Sequence, residues 1–385
     1  MTIAELLAAY RPGHSLEQAF YADAGLFARD MDMLAGHWLC VGHVSEVMAA
    51  GDWLVAEFGR DSAIVARGAD GEIRAMANVC RHRGSRICLE PHGHAMALIC
   101  PYHGWSYRLD GRLRRAPEMS EGFDPAAHGL LPLPVTVIGS LIFVSFADTP
   151  PAIAGAAEAL GAMTLRHGWD TARIAARKSF TVTANWKLAL ENYHECYHCA
   201  GSHPEFSALH ALSRPGNRRI GARDVEAWPA VPDGQEVFRV MHSSLAEGVT
   251  TGSRDGRPLA PPMVAAGTEH ECVFAELGLL SAFLAYSDYG VIYRFIPRET
   301  LRTEMEVIWL VRGDAEAGRD YDPEALTWLW EVTSVADKTI IENNQAGVLS
   351  RFYRPGSFSK MEPATRLYVE RYVAEMARLA RSAQG

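Results

Sequence analysis

The chain has 385 residues, 48% of them hydrophobic, with a formal net charge of -9 and an isoelectric point near 5.9. That length and apolar content suffice for two domains with cores of their own, and the acidic balance without a long basic run argues against a nucleic-acid partner. The apolar stretches are too short for a membrane-spanning helix, the first residues lack a signal-peptide pattern, and seven cysteines without paired spacing read as reduced thiols of a cytoplasmic protein.

Residues 1–35 read as a helical lead-in, broken at Pro12-Gly13. From Trp38 the texture changes to short apolar segments such as Trp53–Val55, Ala63–Ala66 and Ile73–Ala77, separated by Gly-Asp and Gly-Arg turns and closed by Val135–Val144. Strands at this spacing predict an all-β domain over 36–146. A second domain, 147–385, opens with an Ala-rich helix over 150–165 and a strand at Ser179–Val182. The stripe of Trp186, Leu190 and Tyr193 predicts a helix from Asn185 to Cys199. Residues 212–268, rich in Gly, Pro and charge, read as loops over a pocket. Strands resume at Leu284–Tyr286, Gly290–Phe295 and Glu304–Leu310. A long helix capped by Asp322-Pro323 runs to about Leu349, and Ala364–Ala383 reads as part strand, part helix.

Two loops of the first domain carry a metal-binding set. Cys80-Arg81-His82 and Cys100-Pro101-Tyr102-His103, seventeen residues apart, each offer one thiolate and one imidazole. Two Cys on one iron and two His on the other is the ligand pattern of a Rieske [2Fe–2S] cluster. Gly84, Gly93 and Gly104 permit the turns, and Pro101 stiffens the second loop. The same four residues could hold zinc, but the order is not that of a zinc finger. Cys88, His92 and His94, between the loops, read as packing or surface residues.

A second set lies at His194-Glu195-Cys196-Tyr197-His198-Cys199-Ala200-Gly201-Ser202-His203. His194-Glu195-x-x-His198 matches the pattern of a zinc hydrolase, with Glu195 as base. The other choice uses His198 and His203, which would stand about 140° apart on a continuous helix. Both can face one metal only if the helix ends between them, as Gly201 allows. Two His and one carboxylate leave iron(II) with open positions. Asp337, in an otherwise apolar helical run, or Glu342 could supply that carboxylate. Glu195 stands on the same helical side as His198 and could touch it from behind. His194, His210 and His242 stay unassigned.

With Cys80-Arg81-His82-Arg83-Gly84, Cys100-Pro101-Tyr102-His103-Gly104-Trp105, Asn185-Trp186-Lys187, Glu191-Asn192 and His198/His203, the chain resembles the α subunits of Rieske non-haem iron oxygenases of the ring-hydroxylating type. The resemblance spans nearly the whole chain. It implies an α+β fold: an N-terminal all-β Rieske domain and a C-terminal helix-grip catalytic domain with a central antiparallel sheet. It makes Cys80, His82, Cys100 and His103 the cluster ligands and His198, His203 and Asp337 the ligands of a mononuclear Fe(II). It further implies a homotrimer in which one copy's cluster serves its neighbour's iron, with Glu195 linking a cluster His, His103, to His198. Electrons would come from NAD(P)H through a separate flavin/iron–sulfur reductase, since no dinucleotide fingerprint or second four-Cys set is present. Glu195-Cys196-Tyr197-His198-Cys199, with Asp337, Glu342 and Gln345, is most similar to the branch acting on betaines, carnitine and choline. That implies O₂-dependent hydroxylation or N-demethylation of a small cationic substrate, with formaldehyde released. Trp228, Tyr286, Tyr289, Tyr293 and Phe295 are available as aromatic faces for the cation. An arene dioxygenase and a pure electron carrier are the alternatives.

Overall fold

The computed structural model describes residues 2–210, 234–264 and 271–382. The chain divides into two compact units, Ala35–Pro151 and Met1–Leu34 with Ala152–Gly385.

The first unit is built from strands β1 (Leu39–His43), β2 (Asp52–Phe58), β3 (Asp61–Arg67), β4 (Ile73–Ala77), β5 (His92–His94) and β6 (Leu98–Ile99). These are followed by β7 (Ser106–Tyr107), β8 (Leu113–Arg115), β9 (Pro132–Leu133), β10 (Val135–Ile138) and β11 (Leu141–Val144). They form three sheets, ordered β1-β11-β10, β5-β2-β3-β4-β9 and β6-β7-β8. The run Val135–Val144, read as one segment, is a hairpin. Gly139 and Ser140 both take positive φ, 51° and 73°, the combination that matches the twist of antiparallel strands. One hydrophobic cluster holds Ile64, Met76, Ile87, Leu98, Trp105 and Tyr107 together with Cys80 and Cys100, so the thiols belong to the core.

In the second unit, helices α1 (Ile3–Ala9), α2 (Gln18–Ala22) and α3 (Ala24–Ala35) lead in, and α4 (Ala154–Arg166) follows the first unit. The sheet comprises β12 (Ala172–Val182), β13 (Phe238–Ser244), β14 (Glu271–Leu277), β15 (Ser281–Ala285), β16 (Gly290–Glu299) and β17 (Arg302–Arg312). It is antiparallel, in the order β12-β17-β16-β15-β14-β13. β17 is buried from Met305 to Val311, as its inner place requires. Helices α5 (Trp186–Tyr193), α6 (Cys199–Ser202), α7 (Pro204–Leu209), α8 (Pro323–Val348) and α9 (Pro363–Ser382) complete the unit. Asp322 caps α8 by accepting the amides of Glu324 and Ala325 at 2.8 and 3.0 Å, with Pro323 at the first helical position.

Three expectations need correction. The helix from Asn185 stops at Tyr193, not Cys199, and Gly201 lies inside α6 without a positive φ. The stop falls at His194, whose ring turns back to the Leu190 carbonyl at 2.6 Å, and at Glu195, whose side chain takes the next amides. Residues 238–244, inside a stretch read as loops, form edge strand β13, its alternation masked by flanking Gly, Pro and charge. The C-terminal segment is one helix, α9, with no strand; Val369, Tyr372 and Met376 give it a buried face at helical spacing. Among the described residues no helix is long and apolar enough to cross a membrane.

Candidate active site and its two metal centres

The two cluster loops have the same backbone construction. In each, the glycine four residues after the Cys takes positive φ, 78° at Gly84 and 71° at Gly104. That glycine's amide returns to the Cys carbonyl, at 3.0 Å in the first loop and 3.1 Å in the second. The Cys amides are likewise held by the carbonyls of Ser85 and Trp105, each at 2.8 Å. Cys80 and Cys100 are buried, while His82 and His103 face outward with their Nδ1 atoms 3.2 Å apart. Trp105 stacks on the His82 ring, fixing its plane. The Tyr107 hydroxyl accepts the Arg81 amide at 3.0 Å and directs its own proton to Cys80 Sγ at 3.2 Å. Burial raises the Cys80 thiol and the neighbouring Cys100 adds to this, while the Tyr107 bond works the other way. Two core thiols on one side and two converging imidazole nitrogens on the other fit a Rieske cluster. Cys88 is buried and His94 pairs with Asp52, so neither belongs to the clamp.

The second centre is assembled from α5–α7 and α8. Asn185 caps α5 by accepting the Lys187 amide at 3.1 Å. The break after α5 and the short helix α6, flanked by His198 and the non-helical His203, bring both rings to face Asp337 of α8. Asp337 Oδ1 lies 2.8 Å from His203 Nε2 and 3.2 Å from His198 Nε2, and the two nitrogens are 3.1 Å apart. Ligands at about 2.1 Å from one ion are about 3.0 Å apart on an octahedral face but about 3.4 Å apart at tetrahedral corners. The observed triangle has the spacing that three ligands on an octahedral face would have, so these residues could hold one ion. His203 Nδ1 is buried without a hydrogen-bond partner among the described residues, so its Nε2 is the ring's functional end. Burial pushes the Asp337 carboxyl up, but the two imidazoles outweigh it and hold the group below its usual range. Burial also opposes charge on His198, yet Asp337 and Glu195 lift it to about 10.

Glu195 sits behind His198, with Oε1 2.5 Å from Nδ1 and Oε2 accepting the amides of Tyr197 and, at 3.1 Å, His198. A carboxylate behind an imidazole sets its tautomer and aims Nε2 at the triangle. His194 is turned elsewhere: Nδ1 bonds Leu190, Nε2 lies 3.4 Å from Glu276, and the ring stacks on Tyr368. The zinc-hydrolase pairing of His194 with His198 is therefore not assembled. Glu342 is likewise elsewhere, bonded to Lys338 and to the Thr183 amide at 2.8 Å.

A cavity of about 200 Å³ opens on the His198–His203–Asp337 face. Of the aromatics named from sequence, Tyr293 and Phe295 line it. Tyr286 and Tyr289 are fully buried core residues whose hydroxyls bond His210 and the Gly252 carbonyl, and Trp228 lies outside the described residues. Phe206, Phe274 and Trp330 line the cavity without having been singled out by sequence, as do Arg239 and Glu276. Alternation over Phe274-Ala275-Glu276 was the available signal, and it was too short to use. Burial lowers His210 to about 4, so it is a neutral wall residue.

Residues 37–137 match the Rieske [2Fe-2S] domain, and residues 169–378 match the catalytic domain of the ring hydroxylating alpha subunit. The chain belongs to the Rieske non-haem iron oxygenases, as an α subunit with a [2Fe–2S] cluster and a mononuclear iron. Within that class it is 38% identical over 379 residues to the glycine betaine monooxygenase oxygenase subunit of Chromohalobacter salexigens, covering 93% of this chain and 84% of that protein. It is 29% identical over 342 residues to the carnitine monooxygenase oxygenase subunit of Escherichia coli, covering 87% and 84%. The fold is shared with the quaternary ammonium Rieske monooxygenase CntA bound to L-carnitine (TM-score 0.74, 21% identity, 98% and 99% covered). It is equally shared with naphthalene 1,2-dioxygenase bound to indole (TM-score 0.72, 20% identity, 98% and 95% covered). The fold alone therefore does not choose between ammonium and arene substrates.

Proposed function

We propose that this chain is the oxygenase component of a monooxygenase that hydroxylates an N-methyl group of a small quaternary ammonium compound. The observation that carries this reading is the cavity, where the His198–His203–Asp337 face opens onto Phe206, Phe274, Tyr293, Phe295 and Trp330. Aromatic faces attract a desolvated cation through their quadrupoles, by about 2 kcal/mol or more per favourable contact. The glycine betaine and carnitine monooxygenase relatives support the same choice.

Cys80, His82, Cys100 and His103 would hold the cluster, and His198, His203 and Asp337 the iron. When bound, the cluster supplies single electrons and the iron supplies O₂ activation. The protein's own part is placement. Glu195 keeps the proton on His198 Nδ1, Tyr293 is locked by its bond to Ser334 at 2.8 Å, and the aromatic wall turns an N-methyl carbon toward the open face. In balance, R–N⁺(CH₃)₃, O₂, two electrons and two protons give the N-hydroxymethyl cation and water. Breaking its N–CH₂OH bond leaves the tertiary amine, formaldehyde and a proton.

The working assembly in this reading is a cytoplasmic homotrimer served by a separate NAD(P)H-dependent flavin/iron–sulfur reductase. Cluster and iron are paired across copies, with Glu195 on the path from a cluster His103 to His198. None of the seven cysteines is in a disulfide, in keeping with a reducing compartment. The test is a reductase-coupled assay measuring O₂ consumed and formaldehyde formed together. One formaldehyde per O₂ is expected with a trimethylammonium substrate. Dihydrodiol from arenes, with no formaldehyde from any trimethylammonium compound, would refute the reading.

A further inference from the structure

We infer that the Arg239–Glu276 pair is the carboxylate-recognising end of the substrate site, selecting zwitterionic trimethylammonium carboxylates over trimethylammonium alcohols. The inference rests on the quaternary ammonium reading and narrows it.

Arg239 and Glu276 stand directly opposite each other on β13 and β14. On a sheet's outer strands such a cross-strand ion pair ordinarily faces water. Here both side chains turn inward and line the cavity that holds the triad. They are 7% and 5% exposed, with Nη2 donating to Oε1 at 2.6 Å, and Glu276 Oε2 lies 3.4 Å from His194 Nε2. A buried ion pair seldom stabilises a fold more than apolar side chains of the same volume would. Fixed polar groups in an otherwise aromatic pocket orient a ligand. Among the described residues lining the cavity, Arg239 is the one arginine or lysine.

The charges decide which ligand. Burial alone would push Glu276 up, but Arg239 and then His194 outweigh it and bring the carboxyl to about 2. Within the pair the two opposite charges offset each other. A bare cation meets both charges of the pair and gains nothing net from it. A zwitterion adds no net charge to the cavity. Its carboxylate joins a guanidinium whose five N–H donors can serve two carboxylates at once, while its trimethylammonium head packs against the aromatic rings. An alcohol in place of the carboxylate fills the same space without the charge-assisted bonds.

The experiment uses the cluster- and iron-loaded protein and measures equilibrium binding by calorimetry, with glycine betaine and choline as probes. Both carry the same head group. Wild type is expected to bind glycine betaine at least about 30-fold more tightly than choline, the scale set by a desolvated charge pair. Arg239→Gln should remove that preference, moving choline less than about threefold, and Arg239→Lys should recover only part of it because an ammonium lacks the fork. Should Arg239→Gln fail to fold, the Arg239→Gln/Glu276→Gln double variant keeps an amide–amide bond in place of the ion pair and must show the same loss. Equal wild-type binding of the two probes, or equal weakening of both in the double variant, overturns the inference. Formaldehyde assays separate the two levels. Product from both compounds without preference sinks this inference alone, whereas formaldehyde from no trimethylammonium compound sinks the quaternary ammonium reading.

Discussion

Replacing Glu195 by Gln removes one oxygen acceptor and adds a donor at a place where only acceptors fit. Its carboxylate takes the His198 ring proton on Oε1 and the amides of Tyr197 and His198 on Oε2. If the Gln oxygen faces the two amides, its NH₂ confronts His198 Nδ1 and drives the ring proton to Nε2. That atom lies 3.1 Å from His203 Nε2 and 3.2 Å from Asp337 Oδ1, where a metal needs a lone pair. If the oxygen faces the ring, the NH₂ confronts two backbone N–H groups. Either way a charge-assisted bond of about 1.5–3 kcal/mol is lost, matching the roughly 10–100-fold typical of such partners of metal ligands. Ala should cost less, because water can enter and accept from Nδ1. The assay strips the mononuclear metal with a chelator and titrates Co(II) or Fe(II) anaerobically, with cluster absorbance as the folding control. A Gln variant that binds metal within about twofold of wild type would refute the reasoning.

Removing His203 (His203→Ala) should shed the mononuclear metal and leave the cluster spectrum intact, whereas His194→Ala and Glu342→Gln should keep both; metal analysis and visible absorbance report this. Tyr107→Phe deletes the proton directed at Cys80 Sγ. At about 1–1.5 kcal/mol the cluster potential should fall by roughly 40–65 mV, measured by voltammetry, and an unchanged potential would mean that the hydroxyl does not bond a ligand sulfur. Asp30→Asn leaves Lys187, fully buried against Asp30, without its counter-charge and costs either Trp186 or Tyr372 its acceptor, since the amide keeps one oxygen. Chemical denaturation should show a loss of about 3–5 kcal/mol, and a loss under about 1 kcal/mol would show that the pair does not carry that burden.

The features legible in the chain are those whose physics is local. Each cluster loop carries its thiol, imidazole and left-handed glycine within five residues, so the clamp could be read before any fold was known. The start of α8 at Asp322-Pro323 is local in the same sense, because a cap and its amides are neighbours in sequence. His198 and His203 were visible too, and a helix does end between them, at Ser202 with His203 non-helical rather than at Gly201. The preceding helix α5 stops earlier than expected, at His194 and Glu195, where side chains compete with the helix for backbone groups.

Other features carry no local trace. The His203–Asp337 contact spans 134 residues, and helical periodicity favours Asp337 over Glu342 only weakly. Only the packing of α8 decides it, turning Asp337 into the triangle and leaving Glu342 to Lys338 and the Thr183 amide. Arg239 and Glu276 became partners through the pairing of β13 with β14, and became cavity residues because that pair faces inward. Composition and spacing thus determined which chemistry the chain could support. The tertiary structure decided which carboxylate joins the histidines and which charges line the pocket, because both depend on segments distant in sequence burying the same space.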